Sequence, residues 1–323
     1  MSPKVLDFDP PIYYETYAPH EPAVWVKPGS LVRTPTLDAG RGDATGRELP
    51  PDRFERRDDT DLFRWNPLSG AFCVEGAEPG DTLVCEIRRI ELTRDTAYAN
   101  MNQGQVFFAG EGPAAYRHLV PTEPMGQYLW RLDRARRTAT LDLPKSRVKR
   151  VTIPLHPFLG CIGTAPPMGR VETAGHPGEF GGNMDAIETA VGTTVYLPVF
   201  VRGGYLHLGD VHAAQGDGEV CGTALETSAR VTVRLDVRKG RALAWPRFED
   251  RNWIMTVANT KPLEDAYGIA HRQMVDWLAA DFGFAPLDAL QVLSQVGRVR
   301  VGQVVDPLYT VIVKFPKACL PAR

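Results

Sequence analysis

Two glycine-rich stretches of the chain combine carboxylates with an imidazole or an amide, the side chains that bind cations and transfer protons. The first, GDVHAAQGDGE at residues 209–219, contains Asp210, His212, Gln215, Asp217 and Glu219. Asp210 and His212 are two residues apart, so on a strand their side chains share one face. A carboxylate beside an imidazole suits either a divalent cation or a general-base pair, since both uses need groups that converge on one point.

The second stretch, HPGEFGGNMDA at residues 176–186, places Asn183 and Asp185 directly after glycines. Neighbouring glycines let oxygen atoms and backbone N–H groups approach a small ligand closely. Either stretch alone is also typical of a turn with satisfied Asx side chains. Two such stretches within residues 176–219 favour a functional site, and neither contains a phosphate-binding loop, an H-E-x-x-H motif, a G-x-S-x-G motif or a dinucleotide motif.

Short strands separated by turns are predicted to position these residues. YLHLGDVH at 205–212 predicts a strand that places Leu206 and Leu208 on the same face as Asp210 and His212, with His207 opposite. ARVTVRLDV at 229–237 alternates apolar and polar residues, as a half-buried strand requires.

Two further pairs of strands are expected in the first half of the chain. GAFCVEGAEPGDTLVCEI at 70–87 predicts a β-hairpin with a Pro-Gly turn, in which Leu83, Cys85 and Ile87 share a face. YLWRLD and TATLDL resemble paired strands, and residues 41–62 are interpreted as a long charged surface loop.

The C-terminal third changes from strands to helices. Apolar residues at helical spacing predict one helix over 262–283, beginning at Pro262 and ending at Gly283, and a second over 286–297. Strands follow at 298 and beyond. The pattern indicates a β-rich α+β protein and lacks the strand–helix alternation of a doubly wound parallel sheet.

Composition narrows the classes of function. The 323 residues carry a formal net charge of −2, which argues against nucleic acid or an acidic membrane as the main partner. No stretch has the apolar length of a signal peptide core or a membrane span, so we expect a cytoplasmic protein. The cysteines show no C-x-x-C spacing and number five, which fits reduced thiols, with Cys73 and Cys85 in the core.

Several segments together resemble the acetamidase/formamidase family. They are WVKPGSLVRTPTLDAG (25–40), NPLSGAFCVEGAEPGDTLVCEI (66–87), GCIGTAPPMG (160–169), PGEFGGNMDA (177–186), VYLPVFVRGGYLHLGDVHAAQGDGEVCGTALE (195–226) and SQVGRVRVGQVVDP with FPK (294–307, 315–317). The resemblance implies an α+β fold with a jelly-roll-like β-sandwich core and hydrolysis of short amides to acid and ammonia. It also implies a homo-oligomer, a dimer or higher, and a divalent metal, with zinc favoured over calcium. Residues 1–150 are expected to form a β-rich half that contributes one site acid, packed as one unit with the half at 151–323 that carries most of the site.

The resemblance also implies site residues, namely Asp38, Asn183, Asp185, Asp210, His212, Gln215 and Glu219. We expect Asp38, Asp185 and His212 as metal ligands, and Asp210 as a further ligand or as the group that orients His212. Glu219 is the expected general base, and later the acid to the leaving nitrogen. Asn183, or the backbone amides of Gly181 and Gly182, is expected to bind the carbonyl oxygen.

Three alternatives stay open from sequence alone. The substrate is a small amide by the first interpretation, but a lactam or another C–N bond fits the same residues. A metal-free mechanism, in which a carboxylate attacks or activates water beside a protonated partner, is the second. Cys161 as the nucleophile is a weaker form of it because no base adjoins that cysteine in the sequence. A non-catalytic homologue that binds a metal or a small molecule is the third.

Overall fold

The computed structural model describes residues 5–56, 65–100 and 126–321, and these ranges contain 22 strands and two α-helices. The strands are β1 (Val5–Asp7), β2 (Thr16–Tyr17), β3 (Val24–Val26), β4 (Ser30–Thr36), β5 (Leu68–Val74), β6 (Thr82–Leu92), β7 (Thr96–Asn100), β8 (Gln127–Asp133), β9 (Thr138–Asp142), β10 (Arg150–Pro154), β11 (Phe158–Gly163), β12 (Glu172–Thr173), β13 (Pro177–Gly178), β14 (Gly181–Asn183), β15 (Thr194–Pro198), β16 (Leu206–His212), β17 (Glu226–Thr227), β18 (Ala229–Arg238), β19 (Arg247–Glu249), β20 (Trp253–Thr260), β21 (Arg298–Val301) and β22 (Tyr309–Pro316). The helices are α1 (Leu263–Phe282) and α2 (Pro286–Val296).

Most strands belong to two large sheets. The nine-stranded sheet runs β1-β4-β18-β6-β15-β19-β20-β22-β21. The eleven-stranded sheet runs β10-β9-β8-β7-β17-β16-β11-β14-β13, with β5 paired to β16 and β3 paired to β5. Strand pairs are antiparallel except for β1 with β4 and β3 with β5, among the ladders of the described strands.

The two sheets enclose the main hydrophobic core. Buried side chains of the nine-stranded sheet, such as Leu235 and Cys85, belong to the same apolar cluster as Leu208 and Ile162 of the eleven-stranded sheet. This confirms a β-rich sandwich with helices in the C-terminal third. Both sheets take strands from before and after residue 150, while the division of function between the two halves stays a prediction.

The predicted hairpin at residues 70–87 is wrong in its pairing. The Pro-Gly turn forms, and Leu83, Cys85 and Ile87 are buried on one face of β6 as expected. However, β5 pairs with β16 and β3, whereas β6 pairs with β15 and β18. The turn therefore carries the chain from one sheet to the other. A hairpin and a crossing between sheets have the same local sequence, so the turn residues did not distinguish them.

The two helices cover one end of the nine-stranded sheet. Helix α1 has Pro262 at its N-cap and ends at Gly283, whose φ of 72° is the left-handed value expected at a C-terminal glycine. Met274 and Leu278 of α1 pack against Ile254 of β20 and Val313 of β22. None of the helices in the described ranges has the length and apolarity that crossing a membrane requires.

β8 and β9 form the expected antiparallel pair. The predicted charged loop lies at 41–56 within the described residues, without a strand of its own, and its residues 57–62 lie outside them. All five cysteines are free thiols, and Cys73 and Cys85 are buried as predicted.

Leu235 offers a test of the core. It lies on β18 between β4 and β6 and its side chain is fully buried. We expect Leu235→Ala to lower the free energy of unfolding by about 2–5 kcal/mol, because the change removes buried apolar contacts and leaves a cavity. Exposed Arg230 lies on the same strand, and Arg230→Ala is expected to change stability by less than about 0.5 kcal/mol. Urea unfolding followed by circular dichroism measures both, and equal losses would contradict this placement of the core.

Candidate active site

The candidate site lies where β11 and β16 change the direction of their side chains. On β16, Leu206, Leu208 and Val211 point into the sandwich core, and Asp210 lies between them with a φ of 53°. On the facing strand β11, Leu159 and Ile162 occupy the core and pair with Val211 and Leu208. Three residues rather than two separate successive core side chains next to Gly160 and Asp210, so both strands shift their alternation by one residue at this point.

The shift corrects one prediction and confirms another. Leu206 and Leu208 do not share a face with Asp210 and His212, because the first two are in the core and the last two line a cavity outside it. Asp210 and His212 nevertheless lie side by side as expected, with His212 Nε2 3.3 Å from Asp210 Oδ2. A positive φ at a non-glycine residue could not be read from the local pattern.

Two groups of buried side chains share His212. The first is Asp210, His212 and Glu226, in which Glu226 Oε2 lies 3.4 Å from His212 Nε2. The register of β16 with β17 places Glu226 directly opposite His212. The second group is Asp185, His212 and Glu219, and the ligand atoms within each group lie within 4.8 Å of one another. Asp185 and Glu219 also have a positive φ, at 44° and 49°.

A hydrogen-bonded row extends the site toward β14. Asn183 Nδ2 donates to Asp306 Oδ2 at 2.8 Å, and Asn183 Oδ1 accepts from Asn66 Nδ2 at 3.3 Å. The thiol of Cys161 donates to the same Oδ1 at 2.9 Å. These contacts fix which end of the Asn183 amide carries oxygen. They also leave one N–H of Nδ2 without a partner in this row.

Gly160 forms the floor beneath the acids. A Cβ atom at this position would lie 2.6 Å from Asp210 Oδ2, 2.7 Å from Asp185 Oδ1 and 2.9 Å from the His212 ring. The side chains therefore occupy the space that any other residue would need. The first glycine of GCIGTAPPMG is therefore needed because a larger residue would collide with these side chains.

Burial dominates the electrostatics of the site. It raises the pKa of Asp185 to about 6, because burial outweighs the lowering effect of His212. The charge of Asp210 adds to the rise, whereas hydrogen bonds from Glu219 and Asp306 oppose it. Burial likewise raises the pKa of Glu219, Glu226 and Asp306 well above the usual range of carboxyl groups. Burial alone would lower the pKa of His212, but Glu226 and Asp210 outweigh it and raise that pKa well above its usual value. The site thus favours a positive charge or additional protons.

Several oxygens of the site have no donor to satisfy them. Among the described residues, no N–H group and no Ser, Thr or Tyr hydroxyl donates to either carboxylate oxygen of Asp185, to Oδ1 of Asp210 or to Oε2 of Glu226. The neighbours of Asp185 are the carboxyl groups of Glu219 and Asp306, which donate only when protonated. Buried polar atoms in native proteins are normally paired, so a cation among these oxygens would satisfy them.

The acids face a cavity of about 280 Å³. Its wall also contains Trp65, Asn66, Tyr98 and Asn100 from the first hundred residues. Gly181 and Gly182 are in the ladder between β14 and β11 and do not line the cavity, so the structure favours Asn183 over their amides as the group facing a ligand.

Asp38 is the predicted residue that the structure does not bring into either group. Its Oδ2 lies 2.5 Å from Arg94 Nη2, and its Oδ1 accepts a hydrogen bond of 2.7 Å from the backbone N–H of Gly42. Both oxygens are thus engaged, one by Gly42 in the loop that follows β4 and the other by Arg94 between β6 and β7. The adjacent Ala39 lines the cavity, so Asp38 shapes its wall through the backbone.

Four residues of the site were missed by the sequence interpretation. They are Asn66, Tyr98, Glu226 and Asp306. Glu226 ends the 195–226 segment and Asp306 precedes Pro307 in the 294–307 segment, so both lie in segments that carry the family resemblance. For Glu226 and Asp306 the sequence showed only a single acid next to apolar residues. Such an acid indicates a functional site only once it is known to be buried.

The fold and the cavity together define a class, a β-sandwich protein with a buried carboxylate–imidazole centre suited to a divalent cation. Residues 13–175 and 169–320 match the model of the acetamidase/formamidase family, and the chain belongs to this family. The solved structure of an acetamidase from Yersinia enterocolitica is 32% identical, with a TM-score of 0.83, over 100% of this chain and 94% of that one.

Two curated relatives agree with this assignment. An acetamidase from Mycolicibacterium smegmatis is 30% identical over 68% of this chain and 64% of its own length. A formamidase from Methylophilus methylotrophus is 26% identical over 66% of this chain and 61% of its own length. The match thus spans less than two thirds of each of these relatives.

Gly160→Ala tests the packing of the site. The added methyl group would collide with three buried groups, and we expect a loss of about 1–3 kcal/mol in the free energy of unfolding. The control is Gly216→Ala, where nothing lies within 4 Å of the added Cβ, and it should be neutral or slightly stabilising. Chemical denaturation measures both variants. An unchanged stability for Gly160→Ala would show that the acids do not meet above this residue.

Proposed function

We propose that the protein hydrolyses a small amide, of the formamide or acetamide type, to a carboxylic acid and ammonia with the help of a divalent cation. The observation that carries the proposal is the pair of acid groups around His212, with buried carboxylate oxygens to which no N–H group of the described residues donates. Family membership supports the reaction class, and the relatives named acetamidase and formamidase support the substrate class.

The donor set favours zinc over calcium. An imidazole nitrogen with carboxylate oxygens is a ligand set that zinc accepts, whereas calcium is bound by six to eight oxygens. His212 is available from two sides to acids of both groups. A divalent cation bound there would act as a Lewis acid toward water or toward the amide carbonyl.

Glu219 is proposed to transfer the protons. An amide is hydrolysed only if a proton leaves the attacking water and another reaches the departing nitrogen, and one carboxylate can do both in turn. Glu219 lines the cavity, and burial raises its pKa, which suits a group that must hold a proton between the two steps. Asp210 Oδ2, 3.3 Å from Nε2 of His212, is proposed as a further ligand of the cation or as the group that orients the imidazole.

Asn183 is proposed to bind the carbonyl oxygen of the substrate. Asp306 takes one N–H of its side-chain amide, so the second N–H is available to the cavity. Asn66 and Cys161 hold its Oδ1 and prevent the amide from turning over. A donor of this kind contributes about 3–4 kcal/mol to the stabilisation of the transition state.

Cys161 fits a supporting function better than that of a nucleophile. Burial, together with Asp210 and Asp185, raises the pKa of its thiol well above the usual value, which disfavours the thiolate. Its sulfur contacts Tyr17 and the atoms Ala174 O, Asn66 Nδ2, Asn183 Oδ1 and Asp210 Oδ2, and none of these groups is an imidazole.

The protein is also proposed to be a cytoplasmic homo-oligomer. A cytoplasmic protein is supported by five free thiols. A homo-oligomer is supported by exposed apolar residues on the helices, with Leu287 80% and Leu290 48% exposed. Light scattering of the purified protein measures the number of subunits.

Removal of the cation is expected to abolish ammonia release. Protein purified without chelator should contain stoichiometric metal by elemental analysis and should release ammonia from formamide, acetamide or a small lactam. Chelation should reduce the rate to background, and re-addition of zinc should restore it. Undiminished turnover without metal would move the chemistry to Glu219 and its neighbours, and metal without turnover on any of the three would favour a binding protein.

Glu219→Gln is expected to lower kcat by about 10²–10⁴-fold, because the amide cannot accept the proton of water. Folding and metal content should stay unchanged, as measured by circular dichroism and elemental analysis. The matched control is Glu264→Gln, at an exposed position in the first turn of α1. Near-normal turnover of Glu219→Gln would remove this residue from the mechanism.

A further inference from the structure

Gln215 contacts both sides of the candidate centre through one side chain. Its Oε1 lies 2.9 Å from His212 Nδ1. Its Nε2 donates to the backbone carbonyls of Asp185 at 2.9 Å and of Gly302 at 3.0 Å. The side chain thus links the segment that carries His212, the segment that carries Asp185 and the residues that lead to Asp306.

These contacts determine the orientation of the Gln215 amide. A backbone carbonyl only accepts hydrogen bonds, so the end of the amide that faces Asp185 O and Gly302 O is its NH₂ group. The opposite end, which faces His212 Nδ1, is therefore the oxygen. An oxygen at 2.9 Å accepts a hydrogen bond, so Nδ1 of His212 carries a proton, and the lone pair available to a cation is on Nε2.

Asp210 and Glu226 lie near Nε2 of the imidazole, whereas Asp185 lies near Nδ1. Asp210 Oδ2 and Glu226 Oε2 lie 3.3 Å and 3.4 Å from Nε2. Asp185 Oδ1 lies 3.9 Å from Nδ1, the nitrogen that Gln215 occupies. Ligands at about 2.0–2.1 Å in a tetrahedral zinc site are about 3.3–3.4 Å apart, which is the separation on the Nε2 side.

We propose that Gln215 is a positioning residue that selects which acids bind the cation. By holding the proton on Nδ1, it assigns Asp210, His212 and Glu226 to the cation and leaves Asp185 and Glu219 to proton transfer. The inference rests on the proposed function, since it presumes that a divalent cation binds at His212. It changes the interpretation from sequence, in which Asp38 and Asp185 were ligands.

Titration of the full chain with Cd²⁺ and Zn²⁺ measures cation affinity independently of turnover, and it tests whether Gln215 determines which acids bind the cation. Gln215→Met keeps the length of the side chain and removes its hydrogen bonds, and it should weaken cation affinity about 10–100-fold. Gln291→Met, at an exposed position of α2, is the matched control and should bind as the wild type does. Glu226→Gln should weaken affinity strongly, whereas Glu219→Gln should leave it within about threefold.

Nitrogen-15 spectra of the protein loaded with ¹¹³Cd give a second readout that a merely structural function would not change. We expect coupling of cadmium to Nε2 of one histidine that carries a proton on Nδ1, and His212→Asn should remove this signal. Circular dichroism of Gln215→Met confirms that the variant folds.

The outcomes separate the inference from the proposed function. Cadmium coupled to Nδ1, equal affinity of Gln215→Met and wild type, or equal effects of Glu219→Gln and Glu226→Gln would each overturn the selection by Gln215. Any of these results with turnover that still depends on zinc leaves the proposed function standing. A wild-type protein that binds neither cation would overturn both.

Discussion

The fold has to offset the free-energy cost of burying several carboxyl groups close together. Asp185, Asp210, Glu219, Glu226 and Asp306 are all buried around one cavity, in surroundings where an unpaired charge is strongly unfavourable. Folding must therefore supply enough free energy elsewhere to keep these groups together. The apolar cluster between the two sheets and the helix layer at one end of the nine-stranded sheet are the sources visible in the structure.

The same strands serve the core and the site. β11 and β16 place leucines, isoleucine and valine in the sandwich interior, and at the Gly160–Asp210 pair they turn polar groups to the opposite face. Positive φ values at Asp185, Asp210 and Glu219 are conformations that non-glycine residues rarely adopt, and such conformations persist when the surrounding structure holds them. The packing of the core thus sets the positions of the acids.

The sequence predicted the parts of the fold that depend on local pattern. Helix α1 begins and ends at the residues that Pro262 and Gly283 indicate. Along β18, buried apolar residues alternate with more exposed polar ones, as the sequence predicts. Which strands pair with each other was harder to predict. The turn after β5 leads to another sheet, and only hydrogen bonding between segments distant in sequence determines this. At the site, Asp210 and His212 followed from their spacing. The pairing of Asp38 with Arg94 and the arrival of Glu226 and Asp306 depend on contacts between segments distant in sequence.

The row that holds Asn183 has a consequence for the order in which the protein matures. It joins residues 117 positions apart, Asn66 and Asn183, and residues 123 positions apart, Asn183 and Asp306. Contacts of such long range form late in folding, since the closure of long loops precedes them. On the ribosome, the wall of the cavity stays incomplete until Asp306 has left the exit tunnel, so the nascent sandwich can fix the amide of Asn183 only after translation has passed that residue.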